Sequence, residues 1–214
     1  MKPTLIWILV VIIIGISLYQ SIDFVEGFTT PTKSIVLLGD SVLKNNVYAK
    51  KGVDEILSES FKGDVVSNAV DGATIETTYM QLDDLADDLN RESTVCVLST
   101  GGNNILIDYV KGGRPVDDLD HLNTVFVTYK ILVSKVREKL SRAKIILLDI
   151  YYPKDEQYLK YYPLIRAWNK QIGEMDGVIK ISEQMTREND FAFKIEPSET
   201  GGRKIVNAIL SAVK

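Results

Sequence analysis

Apolar residues along this chain follow two rhythms. The first is a set of short unbroken runs, Ile35-Val36-Leu37-Leu38, Val95-Cys96-Val97-Leu98 and Ile145-Ile146-Leu147-Leu148, rich in branched side chains. Such runs mark strands buried on both faces, as in a parallel sheet. Together with the shorter runs near 64 and 177 they predict strands at 35–38, 64–67, 94–99, 144–150 and 177–181. The second rhythm is helical: it opens at Val53-Asp54-Glu55-Ile56-Leu57 and recurs over 77–89, with Leu82, Leu85, Ala86 and Leu89 on one face. It returns over 116–143, 158–175 and 199–213. Strands alternating with helices require right-handed crossovers, so the expectation is an α/β fold, a three-layer α/β/α sandwich around a five-stranded parallel sheet.

Ahead of the first strand, residues 5–18 carry no charge and form an apolar stretch slightly short of the ~20 residues of a spanning helix, a shortfall that local membrane thinning accommodates. A cleaved signal peptide needs small residues at its cleavage site, whereas Ser17-Leu18-Tyr19-Gln20-Ser21 offers a bulky Tyr. The expectation is therefore an N-terminal membrane anchor over 1–21 (a signal peptide, and a secreted protein, if cleaved). A spacer over 22–33 and one domain over 34–214 follow. Lys2 precedes the span and Asp23 and Glu26 follow it, which puts the domain on the extracytoplasmic side.

Composition narrows the field. The 214 residues carry 25 basic and 29 acidic side chains, a formal net charge of -4, and no basic run with interleaved aromatics. Nucleic acid is not expected as a partner. Cys96 is the only cysteine and lies in a predicted strand, excluding an intrachain disulfide. With one His and one Cys the common structural zinc sites cannot be built, and neither a metal nor a cofactor is expected.

Candidate chemistry begins at Gly39-Asp40-Ser41, directly after the first apolar run. In parallel sheets ligands bind beyond the carboxyl ends of the strands, where Ser41 would stand, although the same tripeptide is also an ordinary helix N-cap. The aromatic pairs Tyr151-Tyr152-Pro153 and Tyr161-Tyr162-Pro163 follow the fourth strand at the same rim, lining a cleft or packing the rim. Further along come Asn68-Ala69-Val70-Asp71-Gly72-Ala73-Thr74, Ser99-Thr100-Gly101-Gly102-Asn103-Asn104, and then Asp190 ahead of Ile195-Glu196-Pro197.

In this order the segments resemble the SGNH (GDSL-type) hydrolase superfamily over most of 34–214. Its blocks are a Gly-Asp-Ser nucleophile turn, a Gly after an Asn-x-Ala stretch, a Gly-x-Asn-Asp loop and a terminal Asp-x-x-His. Three blocks match, with Asn104 where the family usually has Asp. The resemblance implies a flavodoxin-like fold and a hydrolase of carbohydrate or lipid esters. Ser41 is then the nucleophile, the N–H groups of Ser41 and Gly72 and the side-chain amide of Asn103 are oxyanion donors, and Asp190 is the acid of the last block. Asp40, Asn104 and Tyr151 fall on the substrate side, with Asn104 as a structural hydrogen-bonder. A glycine at 72 suits a backbone N–H that must approach substrate closely.

The fourth block lacks its histidine. If Asp190 is the family Asp, Phe193 occupies the His position; if Pro197 marks a His-Pro pair, Glu196 does and Phe193 replaces Asp. A phenyl ring cannot accept a proton, and a carboxylate with an ordinary pKa near ~4 is a poor base for serine. Two substitutes are available. His121 lies among Asp117, Asp118 and Asp120, and Lys194 would need desolvation to lose its proton. The expected function is a membrane-anchored esterase of weak or unconventional activity acting on a small-molecule, glycan or lipid ester. The alternative is an inactive relative that binds an acyl or glycan ligand or serves as a surface component.

Overall fold

Five strands lie side by side, all parallel, in the order β2-β1-β3-β4-β5. They are β1 (Ser34–Gly39), β2 (Asp64–Ser67), β3 (Thr94–Ser99), β4 (Lys144–Leu148) and β5 (Val178–Ile179). This computed structural model describes residues 33–213. The expected anchor and all of the spacer but Lys33 fall on residues outside that range, and none of the described helices is long and apolar enough to cross a membrane.

The unbroken apolar runs follow from burial on both faces. Val36, Leu38, Cys96, Leu98 and Leu147 point into one core with Leu82, Phe126 and Trp168. Ile35, Leu37, Val95, Val97, Ile146 and Leu148 point into the other with Ile56, Leu57, Ile205 and Ile209. Helices α1 (Val53–Ser60) and α6 (Glu199–Val213) cover this second face. Helices α2 (Ile75–Asp83), α4 (Leu119–Lys139) and α5 (Tyr162–Ile172) cover the first. A short α3 (Gly102–Ile105) runs into a π-helical turn, Leu106–Lys111, closed by the Gly112 N–H donating to Ile107 O at 2.8 Å. The strand order reverses direction between β1 and β3, and at that switch point an open α/β sheet leaves a crevice for ligand.

Several boundaries differ from the sequence expectation. The helix expected over 77–89 is α2 plus a 3-10 turn at Asp87–Leu89, since Asp83, Asp84, Asp87 and Asp88 oppose the negative end of a continuing helix dipole. The fourth strand stops at Leu148 because the Asn169 side chain takes over the pairing of Ile150. Asn169 Oδ1 accepts from the Ile150 N–H at 2.9 Å and its Nδ2 donates to Ile150 O at 2.6 Å. The expected strand at 177–181 shortens to β5, with Ile181 turning into a 3-10 turn, Ile181–Glu183. A two-stranded antiparallel ribbon, β6 (Phe191–Ala192) and β7 (Glu196–Pro197), pairs Ala192 with Glu196 and lies outside the main sheet. It was not anticipated.

Candidate active site

The site begins where β1 meets the end of β3. Gly39 has φ +131°, and a Cβ built there would sit 1.6 Å from Ser99 O, so no other residue fits. That approach lets the Asp40 N–H donate to Ser99 O at 3.0 Å. Asp40 Oδ1 in turn accepts from the Val42 N–H at 3.1 Å and from Ser99 Oγ at 3.2 Å. Gln81, reaching from α2, grips the same strand end: its Oε1 accepts from the Gly39 N–H at 2.6 Å and its Nε2 donates to Gly39 O at 2.8 Å. Sequence reading overlooked Gln81, although a polar residue beside Leu82 on a core-facing helix was a signal. Gly39 O keeps a second donor, the Val70 N–H at 2.9 Å, so Gln81→Ala leaves the Gly39 N–H buried and unpaired and is expected to cost about 1–3 kcal/mol in denaturant unfolding.

Ser41 follows on a tight turn in which the Leu43 and Lys44 N–H groups donate back to Asp40 O at 3.1 and 3.2 Å. Its side chain is buried and lines a cleft with Asp40, Asn103, Tyr151 and Glu196. The cleft contains about 730 Å³ of empty space, part of it open to solvent. Of the two registers in the last block, the residue brought to Ser41 is Glu196. Phe193 sits at the ribbon tip, 72 % exposed, with φ +47° and its ring 5.9 Å from Tyr48. The ribbon is fastened from below. Asn45 is fully buried, donates from Nδ2 to Pro197 O at 2.6 Å and accepts at Oδ1 from the Val53 N–H at 2.9 Å. The Ser198 N–H donates to Asp190 O at 2.8 Å.

Glu196 is half-buried and its Oε2 is enclosed without a complete hydrogen bond. Burial raises its pKa, the neighbouring Ser41 hydroxyl pulls it back down, the negative charge of Asp71 raises it further, and the net shift is upward. Burial also pushes Asp40 up, to about 7, against the Val42 N–H and with help from the Glu196 charge. Burial raises the Tyr151 hydroxyl well above its ordinary value, and both carboxylates add to the effect. None of the side chains lining the cleft is basic.

The Asp40 shift fixes a sign for stability. A carboxyl whose pKa is higher folded than unfolded contributes stability that is full below about 4 and is lost as pH rises through about 7. Asp40→Asn keeps an acceptor for Val42 and Ser99, so the loss of unfolding midpoint between pH 5 and pH 9 is expected to be smaller in that variant than in the native chain, by circular dichroism at each pH.

The three expected oxyanion donors sit in different settings: Ser41 and Asn103 line the cleft, whereas Gly72 is not among its lining residues. Among the described residues neither the Ser41 nor the Gly72 amide is taken up by an intramolecular acceptor. Gly72 has φ +75° and open space around a would-be Cβ, so its glycine answers to backbone conformation rather than to crowding. It is exposed and lines a separate hollow with Asp71 and Ala73. Asn103 lines the cleft; its Nδ2 donates one hydrogen to Ala73 O at 2.9 Å, which leaves a second amide hydrogen free.

Other sequence candidates are not brought to Ser41. The Asp190 carboxylate accepts from the Arg187 N–H at 2.8 Å and from Lys204 Nζ at 2.7 Å. Burial would raise its pKa, yet the Lys204 ammonium and the Arg187 N–H outweigh it and hold it low. It is a fastening for α6, not a partner of Glu196. Asn104 accepts from the Ile75 N–H at 3.0 Å and donates to Glu76 at 3.1 Å, a structural role outside the cleft wall. His121 Nε2 lies 2.8 Å from Asp108 Oδ2 at the start of α4, and Lys194 faces Asp155 at 3.7 Å; neither lines the cleft. Tyr151, Pro153 and Tyr161 do line it, while Tyr152 and Tyr162 pack on each other at 5.0 Å.

No protein-family model matches the sequence, and no curated protein matches it. Among solved structures the chain is similar to the acetyl xylan esterase AlAXEase, with a TM-score of 0.62 at 16 % identity over 85 % of this chain and 100 % of that one. It is similar to a lipase from a goat rumen metagenome, TM-score 0.63, 19 % identity, covering 85 % and 97 % of the two chains. It is also similar to an acetylxylan esterase of Geobacillus stearothermophilus, TM-score 0.61, 14 % identity, covering 85 % and 94 %.

Proposed function

We propose that this chain, which has the fold of the SGNH (GDSL-type) hydrolases, is a serine ester hydrolase with Ser41 as nucleophile and Glu196 as its proton acceptor. The observation that carries the reading is the Ser41 hydroxyl facing an enclosed, incompletely bonded carboxylate inside a cleft. As Ser41 Oγ bonds to the ester carbonyl carbon, its proton passes to Glu196. The negative charge moves to the carbonyl oxygen, where the Ser41 and Gly72 N–H groups and the free Asn103 hydrogen receive it. Collapse expels the alcohol oxygen, which recovers the proton from Glu196 and leaves an acyl-serine. Water then attacks, gives its proton to Glu196, and the returning proton releases Ser41 and the carboxylic acid.

An upward-shifted carboxylate is a better base than an ordinary one and still a weaker one than imidazole, which supports slow turnover. Esterase and lipase neighbours support an acyl ester as substrate. A fluorophosphonate probe needs an activated serine: labelling of native protein that is lost in Ser41→Ala is the expected result. Absence of labelling from pH 6 to 9 overturns the reading and leaves a ligand-binding role for the cleft.

The uncharged stretch 5–18 supports a tether through residues 1–21, with the domain on the extracytoplasmic side. Protease added outside intact cells is expected to remove the domain; a protected domain sinks that orientation.

A further inference from the structure

We infer that Asp40 is a further oxyanion donor: its carboxyl, protonated on Oδ2, gives a hydrogen bond to the charge that builds on the ester carbonyl oxygen. This rests on the ester-hydrolase reading above. Asp40 lines the cleft next to Ser41 and is only 3 % exposed, and its two oxygens are used unequally. Oδ1 accepts both from the Val42 N–H and from Ser99 Oγ. Oδ2 accepts from no group among the described residues and lies 4.0 Å from where a Cβ on Gly102, the residue ahead of Asn103, would stand. An ionised carboxylate with one oxygen left unpaired is costly to bury, whereas a neutral one puts its O–H on that oxygen and holds it ready for an acceptor.

The surroundings keep that proton in place. Glu196 on β7, Asp149 and Tyr151 beyond β4, and Tyr158 and Tyr161 ahead of α5 line the same cleft, and each is acidic or neutral. Lys44, in the same turn as Asp40, carries its ammonium away to Asp54 at 2.7 Å. Burial therefore raises the Asp40 pKa to about 7 against the Val42 and Ser99 hydrogen bonds, with the Glu196 charge adding to the rise.

A carboxylic acid kept neutral near pH 7 can donate where a carboxylate can only accept. Ser41 and Asn103 line the cleft and Gly72 does not, so Asp40 adds a donor from inside the lining. The ester carbonyl is a weak acceptor and the oxygen of the tetrahedral intermediate a strong one, so the hydrogen bond tightens as the charge develops. The proton stays on Asp40 throughout, and the proton balance between Ser41, Glu196 and the leaving alcohol is unchanged.

The test follows kcat/KM of the full chain on p-nitrophenyl acetate from pH 5 to 9, with circular dichroism at each pH to keep unfolding apart from chemistry. It adds the infrared difference spectrum of native protein against Asp40→Asn. Native turnover should rise as Glu196 loses its proton and then fall about 10²-fold toward pH 9, because two pH units above a midpoint of about 7 leave about 1 % of Asp40 protonated. Asp40→Asn keeps an acceptor for Val42 and Ser99 and carries an amide that donates at every pH. It should be slower than native at pH 6, by up to about tenfold, and level from pH 7 to 9, so that the two profiles cross. Ser99→Ala removes a hydrogen bond that favours the ionised form, so its fall should begin about one pH unit higher. The difference spectrum should show the carbonyl band of a protonated carboxylic acid at pH 6 and lose it by pH 9. A native rate level from pH 7 to 9, or a fall that persists in folded Asp40→Asn, overturns the donor and spares the hydrolase. No turnover by any of the three proteins at any pH, even with the infrared band present, overturns the hydrolase and the donor role with it.

Discussion

Glu196→Gln is expected to lower kcat/KM on a p-nitrophenyl ester about 10²- to 10⁴-fold, the usual contribution of a positioned base, with Ser41→Ala removing turnover altogether. Gln keeps the size and hydrogen-bonding reach of Glu196 but cannot take a proton, so a folded, inactive variant separates chemistry from packing. Unfolding midpoints of the two variants should stay close to the native one, since Glu196 Oε2 makes no complete hydrogen bond that its loss would break. The native rate should rise with pH, with an inflection above the ordinary glutamate range because burial and the Asp71 charge raise the Glu196 pKa. Glu196→His should increase the rate at neutral pH. Phe193→His should not, because that side chain is 72 % exposed at the tip of its ribbon. A gain in Phe193→His alone would reverse the assignment of the base.

Gly39→Ala carries the largest expected cost in stability. Its methyl would lie 1.6 Å from the Ser99 carbonyl oxygen, at a φ of +131° that L residues rarely adopt. Backbone strain and overpacking each cost on the order of 1–3 kcal/mol, so a loss of about 3–5 kcal/mol is expected in urea unfolding. Gly72→Ala is the matched control: its φ is +75° and a Cβ there meets nothing within 4 Å. Its cost should be confined to the left-handed backbone, about 1–2 kcal/mol. Equal losses in the two variants would show that contact with Ser99 is not what requires Gly39.

The sheet was legible because burial on both faces writes an unambiguous pattern: Ile35 to Leu38 and Val95 to Leu98 alternate between two cores and leave no polar position. Gly39, Ser41 and Asn103 were legible because glycine and small polar residues ended those runs. The base was not. Glu196 reaches Ser41 on strands of two residues each, joined through Phe193 and Lys194 at φ +47° and +75°. No glycine or asparagine announces that turn, so nothing local in the sequence shows which way the ribbon points. Asp190 misled for a related reason. Its spacing fitted the last family block, but Lys204 on α6 takes its carboxylate, a pairing across 14 positions that no local pattern shows. The π turn at Leu106–Lys111 likewise reads as ordinary helix, because it differs only in which carbonyl each N–H finds.

Ser41 and Asn103 ride just beyond the ends of β1 and β3, whereas Glu196, the proposed proton acceptor, arrives on a separate ribbon moored by Asn45 and by the Ser198 contact to Asp190. A change of residue at 196 therefore disturbs no strand of the main sheet and no part of either core. Such a layout makes position 196 an exchangeable cassette: carboxylate, amide or imidazole can be set there while the turn that carries Ser41 keeps its shape.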